Sequence, residues 1–272
     1  MRSMYRGWLR PGPEPPGGVE PEEGESRDYI CGNFRIFQYE KGHRYSTDDV
    51  LTAWYGTICS PRVDRMADLG SGIGSVAIIA AWRLPGARVV TVEAQQQSIR
   101  LARKSVRYNG LEDRFTLLHG DLRELQTDER FDLVTGSPPY FPPGTATEAD
   151  HSQAVPARIE MRGSVSGYAA TAARILAPGG VFAFVFPALQ LSRVEAALAD
   201  AGLMLLRRRD VIFKEGEPPL ISLFAAVRIG DVPPREAFVE PPLTIRTRAG
   251  QVHPEYAAIR MSFGFPPGDV PA

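Results

Sequence analysis

The sequence is poor in the residues that build metal centres and disulfide frameworks. Its 272 residues include two cysteines, Cys31 and Cys59, and four histidines, His43, His119, His151 and His253. Neither set has the spacing of a zinc site or of a stapled small domain, so no metal is expected. Both cysteines read as free thiols of a reducing, cytoplasmic compartment. A surplus of one charge is missing too. Lys+Arg of 31 against Asp+Glu of 32 leave a net charge of -1, which excludes a chain basic overall but leaves local phosphate-binding patches open. No apolar run reaches the roughly 18 residues of a membrane span. The arginine-containing N-terminus lacks the apolar segment of a signal peptide. What is present is an ordinary globular composition, 43% hydrophobic and 23% charged, long enough for one large core with appendages.

Residues 1–27, with "RPGPEPPGGVEPEEGES", hold little that can be buried and are expected to form a disordered arm. Residues 28–61 begin with the alternating "YICGNFRIFQYEKGHRYS", a short hairpin. "TDDVLTAWYGTI" follows as a helix capped by Ser46 or Thr47. From 62 to 230 strands and helices alternate. The strands are "RMADL", "ARVVTVEA", "RFTLLHGD", "FDLVTGS" and "VFAFVFP", and a hairpin of "LMLLRRRDVIF" and "LISLFAAVRI" closes the series. This pattern predicts an α/β fold: a mostly parallel seven-stranded sheet with an antiparallel strand and helices on both faces. Residues 231–272 start proline-rich and are expected to pack back as a strand and a short helix.

"ADLGSGIGSVAI" places Asp68, Gly70, Ser71, Gly72 and Gly74 between the first strand of this series and its helix. A dinucleotide fingerprint would need Gly or Ala where Ser75 stands. The spacing D-x-G-x-G-x-G resembles instead the first motif of class I S-adenosylmethionine-dependent methyltransferases, a Rossmann-like fold. The resemblance implies a loop around the methionine end of the cofactor and an acid, Asp68, near its ammonium. Glu93, at the tip of the second strand, has two acceptor oxygens for two ribose hydroxyls. Asp121, at the tip of the third, stands where the family accepts from the adenine amine. Single acids are usually solvated turn residues. Three at successive strand tips argue for a cofactor site.

The fourth strand ends in Ser137-Pro138-Pro139-Tyr140. A proline pair alone is a rigid loop. On this strand it resembles the [N/D/S]-P-P-[Y/F/W] motif of methyltransferases that modify nitrogens conjugated to a planar system. The resemblance implies that the Ser137 side chain and the Pro138 carbonyl grip the two amine hydrogens. Tyr140 would stack on the acceptor ring, and Pro139 would stiffen the loop. Adenine-specific members carry Asn where Ser137 stands, and the S-P-P form is also familiar in enzymes acting on the cytosine amine.

"GNFRIFQYEKGHRYSTDDVLTAW" resembles the leading segment of the bacterial family that methylates N6 of adenine 37 in a valine tRNA. Gln38, Gly42, Arg44, Tyr45, Ser46, Thr47 and Asp48 stand in that family's places, and Tyr39 departs from its proline. "ARIEMRGSVSGY" and "PLTIRTRAGQVHPEYAAI" resemble its later segments. The resemblance implies an RNA partner, a tRNA, with S-adenosylmethionine as cofactor. Thr47 and Asp48 would belong to the cofactor site. Arg44, Tyr45, Phe141, Arg158, Arg162 and Arg207 would face the RNA, with Lys41, Arg208 and Arg209 as further phosphate contacts. A methyltransferase for ribosomal RNA, a protein glutamine, a cytosine amine or a small amine stays open. So does a non-catalytic cofactor- or RNA-binding module. Nothing in the pattern sets an oligomeric state.

Overall fold

The computed structural model describes residues 4–42, 44–60, 62–140 and 164–271. The chain opens with two paired short strands, β1 (Met4–Tyr5) and β2 (Trp8–Leu9). A hairpin of β3 (Glu25–Tyr29) and β4 (Arg35–Tyr39) follows, then helix α1 (Thr47–Cys59). Alternation comes next: β5 (Arg65–Leu69), α2 (Ser75–Arg83), β6 (Arg88–Glu93), α3 (Gln96–Tyr108), β7 (Phe115–His119) and β8 (Phe131–Gly136). Beyond residue 163 come α4 (Val165–Ile175), β9 (Leu176–Pro187), α5 (Leu191–Asp200), β10 (Leu203–Lys214) and β11 (Ile221–Arg228). The tail adds β12 (Phe238–Arg246) and α6 (Pro254–Ser262).

One sheet runs β12-β10-β11-β9-β8-β5-β6-β7. The strands from β9 through β8, β5 and β6 to β7 are parallel to their neighbours, and β11 is antiparallel to both β9 and β10. These are the seven strands the sequence predicts; β12 adds an eighth, parallel to β10. Parallel strands need cover on both faces. One apolar cluster gathers residues of α1, α2 and α3, and a second gathers those of α4 and α5 on the other face. The chain steps outward from β5 to β7 and then returns to β8 on the other side of β5. That reversal falls between β5 and β8, and open α/β sheets bind ligands in the crevice outside the carboxyl ends of their strands at such a point.

Two parts differ from expectation. β9 begins at Leu176, not after the glycines, because a register shift against Phe131 and Leu133 takes up Ala177–Gly180. Gly180 fits there because a Cβ would come within 2.7 Å of the Phe131 carbonyl oxygen. The arm expected to be disordered is laid on α3. The buried Glu25 carboxylate receives Arg100 at 2.5 Å and Lys104 at 2.7 Å, and Glu22 pairs with both cations. Farther back, Arg10 and Arg35 lie over the Tyr29 ring at 3.5 and 3.3 Å. The hairpin is tied to α3 as well, through Phe37 N–H to Ser105 Oγ and Arg35 N–H to Asn109 Oδ1, each 2.9 Å.

No helix among the described residues is long and apolar enough to cross a membrane, and no group of three or more His, Cys, Asp or Glu among them is placed to hold a metal ion.

Candidate active site

The glycine loop joins the tips of β5 and β6 and starts α2. Ser71 N–H donates to the Val92 carbonyl at 3.0 Å, and Gly72 N–H to Glu93 Oε2 at 2.8 Å. Gly70, Gly72 and Gly74 have φ of 60°, 55° and 83°, the left-handed region that favours glycine. Gly70 has a second reason to lack a side chain: a Cβ there would collide with Tyr168 Oη, from α4.

The three expected acids sit at the three strand tips, each in a different state. Asp68 is 1% exposed. Its Oδ1 accepts from Thr135 Oγ1 at 2.7 Å, and its Oδ2 has no hydrogen-bond partner among the described residues. Burial pushes its carboxyl up to about 7; Asp49 and Glu93 add to the rise, and the Thr135 hydroxyl and the Ala77 N–H at the start of α2 oppose it. Glu93 accepts from the Gly72 and Gln95 N–H groups, the latter at 2.6 Å. Asp121 caps the short turn at Leu122–Glu124 and is gripped by Arg123, whose backbone N–H and Nε both lie 2.9 Å away. A fourth acid, Asp49, closes the Ser46-Thr47-Asp48-Asp49 capping box at the start of α1. Its carboxylate takes Ser46 N–H at 2.7 Å and the Ser75 hydroxyl at 2.9 Å, locking the start of α1 to the start of α2. Ser46, not Thr47, is the cap, and Thr47 opens the helix.

At the end of β8, Ser137 Oγ is buried without a hydrogen-bond partner among the described residues. Tyr140 is held at three points. Its hydroxyl donates to Asp48 Oδ2 at 2.7 Å, and its carbonyl accepts from Gln190 Nε2 at 3.0 Å. Its ring meets Phe186 edge-on, with centroids 6.0 Å apart. Burial, then Asp48, raises the Tyr140 phenol well above its ordinary value, so it stays a neutral donor. Asp48, expected to serve the cofactor, holds the Tyr140 hydroxyl. Gln190 gives no signal in the sequence: it is a common surface residue type, and only the turn after β9 turns it inward.

The residues expected to face RNA fare differently. Arg44 donates to Asp28 at 2.9 Å and to the Tyr39 carbonyl, so it closes the β3–β4 hairpin. Tyr45 donates its hydroxyl to the Tyr29 carbonyl at 3.0 Å, with its N–H on Gln38. Arg207 pairs with Glu240 at 3.1 Å. The pairing ladder Asp68–Thr135–Ala183–Ala225–Arg207 spans four strand spacings, which places Arg207 about 19 Å across the sheet from the crevice. Arg208 and Arg209 are paired with Asp210 and Glu255. Phe141, Arg158 and Arg162 lie outside the described residues.

Buried polar atoms almost always find partners, so clustered exceptions point to a ligand. Asp68 Oδ2, Ser71 Oγ and Ser137 Oγ are such exceptions, and all stand at the carboxyl ends of β5 and β8. With the strand-tip carboxylates and the glycine cradle, this donor and acceptor set fits S-adenosylmethionine: an acid for its ammonium and acceptors for its hydroxyls, at tips whose negative charge would repel a polyphosphate.

Comparison with known proteins agrees. Residues 56–195 match the family model of the methyltransferase small domain. A tRNA1(Val) (adenine(37)-N6)-methyltransferase of Dyadobacter fermentans is 26% identical over 240 residues, covering 85% of this chain and 94% of that one. A 4-amino-L-phenylalanine/4-methylamino-L-phenylalanine methyltransferase of Streptomyces pristinaespiralis is 34% identical over 145 residues, 50% of this chain and 48% of that one. The crystal structure of a predicted O-methyltransferase from Agrobacterium tumefaciens superposes with a TM-score of 0.60 at 21% identity, covering 80% of this chain and 98% of that one. The chain belongs to the methyltransferase small domain family and is an S-adenosylmethionine-dependent methyltransferase of the α/β Rossmann-like fold.

Proposed function

We propose that this enzyme methylates the exocyclic N6 amine of an adenine in tRNA, at anticodon-loop position 37. The observation that carries the reading is the orphaned Ser137 hydroxyl, buried at the tip of β8 and followed directly by the Pro138 carbonyl. An amine conjugated to a ring is a poor nucleophile, because its lone pair is delocalised. Two fixed acceptors on its two hydrogens favour a pyramidal nitrogen with the lone pair free to attack. Asp48 and Gln190 hold Tyr140 from both ends, so the clamp is set before the acceptor arrives. The bound cofactor supplies an electrophilic methyl group. Asp68 serves its ammonium, Glu93 its ribose hydroxyls, and Asp121 its adenine amine once Arg123 yields.

The tRNA part rests on the relatives named for adenine 37 of tRNA1(Val), which align along most of this chain. A base in a loop is flipped into a pocket at low cost. In this reading residues 28–61 complete the site, 62–230 form the catalytic core and 231–272 brace it, with Arg158 and Arg162 as RNA contacts. The Streptomyces relative acts on an amine attached to a ring, which favours a conjugated amine as the acceptor class and makes a small arylamine the second reading.

The test is mass spectrometry of tRNA nucleosides from cells lacking the gene, with purified protein and S-adenosylmethionine added back. Loss and restoration of N6-methyladenosine at one tRNA site is the expected result. An unchanged tRNA profile, with methyl label on ribosomal RNA, a protein glutamine, a cytosine or a small amine, refutes the tRNA assignment.

A further inference from the structure

Tyr168 stands in the first turn of α4 and reaches between the tips of the two strands that frame the crevice. Its ring covers Gly136, the last residue of β8, where a Cβ would come within 2.7 Å of Cδ1. Its hydroxyl lies over the Cα of Gly70, in the cofactor loop, where a Cβ would collide with it. Two glycines thus make room for one side chain. The ring fills the space over Gly136, and a phenylalanine would fill it as well, so the hydroxyl over Gly70 is the part that packing does not explain. A buried phenol ordinarily has a partner.

The groups that act on this hydroxyl through space are Glu93, Asp68 and Asp121, all acids. Burial first, then these three carboxylates, push the phenol above its ordinary value, so it remains a neutral donor at any working pH. The amino-acid end of S-adenosylmethionine carries an ammonium and a carboxylate. An acid-lined crevice suits the ammonium and the ribose hydroxyls but repels the carboxylate, which needs donors close to the glycine loop. Tyr168 Oη is a side-chain donor at that place.

We propose that Tyr168 is a positioning residue for the cofactor, donating its hydroxyl hydrogen to the carboxylate of the methionine end as that end settles over Gly70. The inference rests on the S-adenosylmethionine reading of the crevice. It also gives the acid-lined site a means of selecting the whole amino-acid end over a simple sulfonium.

The experiment is calorimetric titration of wild type and Tyr168→Phe with S-adenosylmethionine and with decarboxylated S-adenosylmethionine, beside thermal melts of the ligand-free proteins. A hydrogen bond to a charged group predicts about tenfold weaker binding of S-adenosylmethionine by Tyr168→Phe. Equal binding of the decarboxylated compound by both proteins is expected, as is a ligand-free melting temperature unchanged or raised. Equal affinity of the two proteins for S-adenosylmethionine overturns the proposal. So does the same loss on both compounds, which would mark a displaced ring, or a lowered ligand-free melting temperature, which would mark a partner within the protein. Failure of the wild type to bind S-adenosylmethionine overturns the cofactor reading and this inference together.

Discussion

In the proposed function Asp68 trades stability for cofactor binding, and the trade has a sign that can be measured. Its carboxyl is raised from an ordinary 3.8 to about 7, first by burial. Below about pH 4 the group is neutral in both the folded and unfolded chain. Between about 4 and 7 the unfolded chain has lost the proton and the folded one keeps it, so stability falls as pH rises. Above 7 both are ionised and the full penalty stands. A shift of that size corresponds to about 4 kcal/mol. Asp68→Asn removes the charge and keeps an oxygen to accept from Thr135 Oγ1. The ligand-free variant should therefore match wild type near pH 4 and exceed it by about 2–4 kcal/mol at pH 8.5, roughly 5–10 °C in melting temperature. Its affinity for S-adenosylmethionine should fall at least tenfold, because the ammonium loses its counter-charge. In the wild type that affinity should rise with pH up to about 7 and then level, and titrations near pH 6 should release a proton to buffer. Thermal melts at the two pH values and calorimetry in two buffers of different ionisation enthalpy read all of this. A variant no more stable than wild type at pH 8.5, or a gap that does not change with pH, refutes the reasoning.

Ser137→Ala removes a buried hydroxyl without a partner among the described residues, so the fold should hold or gain slightly while turnover drops about tenfold or more and S-adenosylmethionine affinity stays within about twofold; full turnover would leave the amine to the Pro138 carbonyl alone. Tyr140→Phe keeps the ring but cuts the bond to Asp48, and Gln190→Ala frees the Tyr140 carbonyl; each should lower kcat about tenfold with cofactor affinity near normal, and a change confined to cofactor binding would move both residues out of the clamp. Glu25→Ala leaves Arg100 and Lys104 without their buried partner and should cost about 1–3 kcal/mol, with faster hydrogen exchange over residues 17–30. Burial would raise the Glu25 carboxyl, but the Glu22 N–H, Lys104 and Arg100 hold it below its ordinary value, so this stabilisation is present above about pH 4.5 and is lost in acid; an arm whose exchange ignores both the substitution and acid would refute the anchoring.

The strand tips are legible in the sequence because alternation of strand and helix leaves little freedom. Once "RMADL", "ARVVTVEA" and "FDLVTGS" are parallel neighbours, the residues that follow them must emerge on one edge. Local pattern alone therefore groups Asp68, Glu93, Asp121 and Ser137. The tail strand and its helix are legible for the same reason, as apolar segments needing cover. The arm reads as disordered because its composition shows few apolar residues, while its hold on α3 comes from Glu22 and Glu25 meeting Arg100 and Lys104, cations 75 or more positions away. Which cations are free is equally invisible in a sequence. Arg44 and Arg207 look available until the fold brings Asp28 and Glu240 beside them. The chemical state of each tip residue belongs to the tertiary structure as well. Asp68 has one bonded and one orphaned oxygen because β8 sets Thr135 beside it. Asp48 meets Tyr140 across 92 positions, and Tyr168 reaches Gly70 from another helix. Sequence determined which groups arrive at the crevice, since backbone periodicity is local. Only the folded chain decided which are paired, which are buried and which stay open for a ligand, because those depend on neighbours that meet only when distant segments pack.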